Sequence, residues 1–291
     1  MKRTVRVQTA FPGFWLDTDI TFAHVPAWFG QATRSLKLSV MRHFLNQPAP
    51  LPCIVWVCGG AWLSMDRNIH LPNLVEFARE GFVIVGVEYR DSNEGKFPAQ
   101  IEDIKAAIRF LRAHAANFQI DPDHIGIMGE SAGGFLASLA GTSNGFEPFD
   151  RGDYLECSSD VQAVCSWYGP VDLSLQAKVS PAQDPFNGIA PEEQLLGSRI
   201  GRDARAAEEA SPVTYISERS APFLLLHGTE DTIVPKAHSE YLYSELERRG
   251  VPADLVLVEG AGHASLEFFQ PQVKEIVIDF FSRYLKEGRP G

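Results

Sequence analysis

Ile125-Gly126-Ile127-Met128-Gly129-Glu130-Ser131-Ala132-Gly133-Gly134-Phe135-Leu136-Ala137-Ser138-Leu139-Ala140 is the stretch that decides the fold. Its first four residues make a short buried strand, introduced by the turn Asp121-Pro122-Asp123. From Ala132 onward the small and apolar residues read as a helix. Between strand and helix lies Gly129-Glu130-Ser131-Ala132-Gly133, a match to G-x-S-x-G. In that motif the serine sits on a strained strand-to-helix turn, and small neighbours let the helix approach the strand closely. Five residues alone say little, because glycine and serine are common. The strand–turn–helix setting makes the segment a nucleophile elbow, with Ser131 as candidate nucleophile.

A serine nucleophile needs a base, and the base needs an orienting acid. Behind a nucleophile elbow the chain order is acid first, then histidine. Downstream, Phe223-Leu224-Leu225-Leu226 is an apolar strand that runs into His227-Gly228-Thr229-Glu230-Asp231. Leu255-Val256-Leu257-Val258 is a further strand, whose loop Glu259-Gly260-Ala261-Gly262-His263 presents a histidine among glycines. Both candidates follow the C-terminal end of a strand, where open α/β sheets bind ligands. Ser131 is read as nucleophile, His263 as general base and then acid, and Asp231 as the group that holds the imidazole. Asp172, after Trp167-Tyr168-Gly169-Pro170-Val171, is the competing acid, since some hydrolases take theirs from that position. His238 falls in a predicted helix beside Lys236, Ser239 and Glu240 and is assigned to the solvated surface. His227 precedes the acid and is assigned to strand packing.

Acyl transfer also needs donors for the developing oxyanion. Ile54-Val55-Trp56-Val57-Cys58 is a strand that breaks into Gly59-Gly60-Ala61-Trp62. Consecutive glycines let backbone N–H groups turn toward one point. Gly59, Gly60 and Ala61, with Ala132 after the nucleophile, form the candidate oxyanion hole. Glu130 is expected to point away from Ser131 into a structural ion pair, and Arg90 and Asp103 to pair beneath the site. Trp62, Trp167 and Tyr168 have two readings, as core or as rings lining a substrate pocket.

Further blocks carry a family resemblance: Val87-Glu88-Tyr89-Arg90, Phe97-Pro98-Ala99-Gln100-Ile101-Glu102-Asp103, Gly129 to Gly134, and His227 to Asp231. Through them, from about residue 50 onward, the chain resembles the α/β-hydrolase esterases of the hormone-sensitive-lipase-like and BD-FAE-like (bifunctional carbohydrate esterase) groups. The resemblance implies an α/β-hydrolase fold, a mainly parallel central sheet flanked by helices with a small cap or lid insertion. It also implies a serine carboxylesterase acting on short acyl esters through an acyl-enzyme, without cofactor. Those groups usually open the oxyanion segment with His-Gly-Gly, whereas this chain has Cys58-Gly59-Gly60. Carbohydrate acetyl or feruloyl esters are the alternative substrates. A serine peptidase of this kind needs a large additional domain, and a non-catalytic receptor typically lacks a triad member.

The 291 residues, 45% hydrophobic and 22% charged, suit a soluble globular chain, read here as one domain. A net charge of −11 disfavours nucleic acid as partner. No apolar run reaches the roughly 18 residues of a membrane span. Met1-Lys2-Arg3-Thr4-Val5-Arg6 begins like a basic leader, but no apolar stretch of roughly 7–15 residues follows, and a cytoplasmic location is expected. Cys53, Cys58, Cys157 and Cys165 are read as free thiols. The eight histidines lack H-x-x-x-H spacing and no C-x-x-C occurs, so no metal site is expected.

Elsewhere strands and helices alternate. A helix around Leu71–Glu80 leads to the strand Phe82–Val87. Pro98 then starts a helix with Ile101, Ile104, Ile108 and Leu111 on one face. A strand runs from Val161 to Trp167, and a helix is expected near Lys236–Arg249. The last helix carries Val273, Ile276, Val277, Phe280 and Tyr284 as its apolar stripe. Residues 1–45 are expected to give antiparallel edge strands and a flap. Between Val171 and Ser217, Pro181, Pro185, Gly188 and Pro191 exclude a long regular element, and a small lid is the expectation.

Overall fold

The computed structural model describes residues 1–8, 13–27, 30–44, 48–179, 190–200 and 202–286. In chain order its strands are β1 (Phe14–Ala27), β2 (Ala32–His43), β3 (Leu51–Val57), β4 (Val83–Val87), β5 (Ile120–Glu130), β6 (Ala163–Trp167), β7 (Phe223–Gly228) and β8 (Ala253–Val258). The helices are α1 (Val75–Arg79), α2 (Ala99–Ala113), α3 (Ala115–Phe118), α4 (Ala132–Thr142), α5 (Leu173–Val179), α6 (Pro191–Leu196), α7 (Ala204–Ala210), α8 (Ala237–Arg248) and α9 (Pro271–Leu285). All eight strands join one sheet in the order β1-β2-β4-β3-β5-β6-β7-β8. The β1–β2 and β2–β4 pairs are antiparallel, and from β4 to β8 every pair is parallel.

Alternation along β3 shows why this sheet needs helices on both faces. Cys53, Val55 and Val57 point into one core, with α2 and α4 residues such as Ile104, Ile108, Phe135 and Leu139. Ile54 and Trp56 point into the other, with Phe77 of α1 and Val277, Phe280 and Phe281 of α9. A strand buried on both faces must be apolar throughout, which is the signature of a parallel sheet between two helical layers. α4 is buried along its whole length, consistent with its lack of charged residues. It lies so close to β3 that a Cβ on Gly133 would fall 2.0 Å from the Val57 carbonyl oxygen.

Most sequence expectations hold. Pro98 is the N-cap of α2, and Ile101, Ile104, Ile108 and Leu111 are buried. The stripe of α9 differs: Ile276 is 38% exposed, and the buried set is Val273, Val277, Phe280, Phe281 and Leu285. The N-terminal residues form a long antiparallel hairpin at the sheet edge, where Trp15 stacks on Phe44. Within the 171–217 insertion the described elements are α5, α6, α7 and a 3₁₀ turn over Pro212–Tyr215. Pro191 opens α6, whereas Pro181, Pro185 and Gly188 lie outside the described residues. α6 docks on the loop before α2, where Phe97 N–H and Lys96 Nζ donate to the carbonyls of Leu195 and Gln194 at 2.9 Å. Among the described residues no helix is long and apolar enough to cross a membrane.

Candidate active site

The turn between β5 and α4 carries the strain expected of a nucleophile elbow. Ser131 has φ 51° and ψ −122°, a conformation that L-residues avoid unless the surroundings enforce it. The enforcement is visible in the backbone: Ser131 N–H donates to the Trp167 carbonyl at 2.9 Å, and its own carbonyl accepts the N–H of Phe135 at 2.9 Å. Other left-handed residues gather at the same end of the sheet. Ala61 and Trp62 follow β3, Tyr168 follows β6, and Ala264 follows His263.

Three side chains meet there from three strand ends. His263 Nε2 lies 3.0 Å from Ser131 Oγ, and its Nδ1 lies 2.7 Å from Asp231 Oδ2. Nδ1–H donating to the carboxylate leaves Nε2 free to accept the serine proton, the arrangement of a general base. The other oxygen of Asp231 accepts the N–H groups of Ile233 and Val234, each at 2.9 Å. Burial works against the charge of Asp231, but hydrogen bonds from His227, His263 and Val234 N–H outweigh it and hold the carboxyl well below its usual range. Asp172 is elsewhere: its Oδ1 accepts the N–H groups of Ser174 and Leu175 at the start of α5. Asp231, and not Asp172, is the carboxylate that the geometry brings to His263.

The oxyanion loop leaves β3 one strand away. Gly60 has φ +124°, and a Cβ there would lie 1.7 Å from the Ser64 carbonyl oxygen, so only glycine fits. Ala132 is the first residue of α4, so its N–H has no intrahelical acceptor and stands at the positive end of the helix. Gly60, Ala61 and Ala132 remain the candidate main-chain donors beside the elbow. Gly59, the remaining candidate, lies against the elbow, and its N–H contributes to lowering the pKa of Glu130. Gly59 also provides room, since a Cβ there would meet the Glu130 carbonyl at 2.9 Å and Ser131 Cβ at 3.1 Å.

Beneath the loop, Glu130 is 5% exposed and gathers donors. Tyr168 Oη donates to its Oε2 at 2.6 Å, and His70 Nε2 lies 2.9 Å from its Oε1. The Cys58 thiol points at the same Oε1 from 3.7 Å. Burial raises the pKa of Glu130, but the His70, Tyr168 and Gly59 hydrogen bonds lower it by more, and the group is a carboxylate. Sequence spacing does not reveal that Cys58, His70 and Glu130 bring ligand atoms within 4.8 Å of one another. Sulfur, imidazole and carboxylate are the ligand types of zinc. Here both carboxylate oxygens already accept protein hydrogen bonds. Burial and the Glu130 charge push the thiol up to about 12.

Two further expectations are corrected. Trp62, Trp167 and Tyr168 are 2%, 0% and 0% exposed, so these rings are core and do not line a pocket. Trp62 packs edge-on against Phe135, Trp167 against Trp56, and Tyr168 against Phe268 and the His263 ring. His238 is not on the surface. It is fully buried behind the site, where its Nδ1 accepts the Val171 N–H at 3.3 Å. Burial and the neighbouring His227 lower its pKa to about 4. His227 fulfils its structural role, with Nε2 donating to the Val234 carbonyl and Nδ1 facing Ser239 Oγ, both at 2.7 Å. Arg90 and Asp103 pair at 2.8 Å as expected. The cysteines are free.

The BD-FAE family model matches residues 44–246. A probable carboxylic ester hydrolase of Mycobacterium tuberculosis, LipM, is 31% identical over 76% of this chain and 51% of its own length. The chain spans about half the length of the curated relatives it matches. A bifunctional GH43-CE protein of Bacteroides eggerthii superposes with a TM-score of 0.80 at 31% identity, covering 93% of this chain and 38% of that one. A truncated carbohydrate esterase from gut microbiota gives 0.79 at 28% identity, covering 96% and 98%.

Proposed function

The chain belongs to the BD-FAE family, and from that premise we propose that it is a serine carboxylic ester hydrolase acting on short acyl esters. The observation that carries this reading is the continuous Ser131–His263–Asp231 chain, 3.0 Å and 2.7 Å long in its two links, on a strained elbow. Ser131 Oγ attacks the ester carbonyl carbon as His263 Nε2 takes its proton. The carbonyl oxygen becomes an oxyanion held by the N–H groups of Gly60, Ala61 and Ala132. The tetrahedral species collapses, the alkoxide leaves with the proton from His263, and an acyl-enzyme remains on Ser131. Water then gives a proton to His263 as it attacks the acyl carbon, and the second tetrahedral species breaks its bond to Ser131 Oγ, which takes that proton back as the acid is released. Asp231 stays ionised throughout and stabilises the imidazolium.

Short acyl groups are favoured because the described insertion helices α5, α6 and α7 have only 7, 6 and 7 residues. A second reading, acyl groups carried on a carbohydrate, is supported by the neighbour described as a carbohydrate esterase. The test is hydrolysis of p-nitrophenyl esters of graded acyl length beside acetylated and feruloylated sugars. Turnover is expected to fall with chain length, and Ser131→Ala is expected to abolish it while near-ultraviolet circular dichroism stays unchanged. Ser131→Ala retaining native turnover, or Ser131 resisting an organophosphonate that labels serine hydrolases, would overturn the reading.

A further inference from the structure

Nucleophile and oxyanion hole stand on two different strand ends, and the sheet does not hold them together at the level where chemistry occurs. The last paired residues of β3 and β5 are Val57 and Gly129. Beyond them the β3–β5 ladder ends: Cys58-Gly59-Gly60 leaves β3, while Glu130 stays paired only to Trp167 of β6 before Ser131 turns away. What spans the gap is the side chain of Glu130. We propose that Glu130 is a positioning residue that keeps the oxyanion loop in register with Ser131, acting through its hydrogen bonds and not by touching substrate. The proposal rests on the serine-hydrolase reading of this site.

Three side-chain donors converge on one group that only accepts. The Cys58 thiol comes from the oxyanion loop itself. His70 Nε2 comes from the turn that opens toward α1, with its ring stacked on Phe269. Tyr168 Oη comes from the end of β6, and its ring stands edge-on to His263 at 4.9 Å. A carboxylate offers about four lone-pair sites and no donor, so all three partners can donate to it at once. Tyr89 Oη completes the clamp by donating to the Cys58 carbonyl at 3.0 Å. Hole, nucleophile and the wall beside the base are therefore tied to one buried group. Fixed donors stabilise a transition state only if they need not reorganise, and a small drift of Gly60 and Ala61 relative to Ser131 weakens that stabilisation without altering the ground-state complex.

Glu130→Gln has the right shape and the wrong chemistry. Its NH₂ must face at least one of these donors, which disturbs the clamp. The expected result with p-nitrophenyl acetate is a fall in kcat of about 10–100-fold, less than the 10²–10³ for removing a donor outright, with KM within about threefold. Binding of an alkyl boronic acid, which forms a tetrahedral adduct on Ser131 with an oxygen in the hole, is expected to weaken by the same factor. Tyr168→Phe, which loses a single donor, is expected to lose about 3–10-fold in both measurements, and Cys58→Ala less than about threefold. Tyr168→Phe carries the test if Glu130→Gln does not fold. An unchanged kcat, a loss confined to KM, or a fall in kcat with boronate affinity preserved would overturn the proposal. Boronate binding needs no ester turnover. A wild-type protein that binds no boronate and cleaves no ester overturns the serine-hydrolase reading, whereas an active wild type with an equally active Glu130→Gln overturns only the role given to Glu130.

Discussion

Ser131 stands between two half-sites that are built in opposite ways. On the β7–β8 side a charged side chain orients a titratable one, and the essential contacts are Asp231 to His263 to Ser131. On the β3–β5 side the working groups are main-chain N–H groups, and side chains act only as scaffolding beneath them. The first half depends on residue identity: replace the carboxylate and the proton relay loses its tautomer. The second depends on backbone path, and tolerates changes of side chain wherever the path is kept.

The largest expected effect attacks the charged half. Asp231→Asn should lower kcat by ~10⁴, as expected when an imidazole takes the wrong tautomer. Asp172→Asn should leave kcat intact and cost a few tenths of a kcal/mol, because asparagine also caps helices well. Steady-state kinetics on the two variants decide the matter, and reversed magnitudes would move the acid to the β6 end.

The backbone half is broken at Gly60. Gly60→Ala forces the loop away from the Ser64 carbonyl and should reduce kcat by about 10²–10³. Binding of a ground-state substrate analogue should change much less. An alanine variant with native kcat would show that the hole is built elsewhere.

A smaller effect lies behind the charged half. The buried imidazole of His238 titrates near pH 4, against an ordinary 6.5 in the unfolded chain. Val171 N–H, His227, Asp172 and Asp231 surround it. Between those two values the unfolded chain binds a proton that the folded chain does not. Its contribution is thus present above pH 6.5 and is lost as pH falls toward 4, amounting to about 3 kcal/mol. Urea unfolding of the wild type and of His238→Gln at pH 6.5, 5 and 4 should show a flatter profile for the variant. Identical slopes would mean that other groups carry the acid sensitivity.

The two halves also differ in how far the sequence reveals them. Ser131, Asp231 and His263 are readable from chain order and from the glycine-rich turns after apolar strands, because those constraints are local. The alternation in β3 and the spacing in α2 likewise declare their buried faces. Glu130, His70 and Cys58 cannot be joined in this way, since their meeting depends on the lateral order β4-β3-β5-β6 of the sheet. His238 misleads for the opposite reason: its neighbours Lys236 and Glu240 are polar, yet a helix has a second face, and His238 lies on that one. Trp62, Trp167 and Tyr168 stand near the motif in sequence, but their rings turn inward to fill the space under it.

The base hangs on the outermost strand. β8 pairs only with β7, and it is only partly buried where β7 is buried throughout. An edge strand of this kind opens locally at a lower free energy than the centre of the sheet. Because His263 rides on the loop that follows β8, such an excursion removes the proton acceptor while the elbow and both cores persist. Inactivation on warming is therefore expected to precede global melting, and residual ester hydrolysis followed beside circular dichroism would check this. A contact that secured β8 from outside would lengthen working life without touching the chemistry.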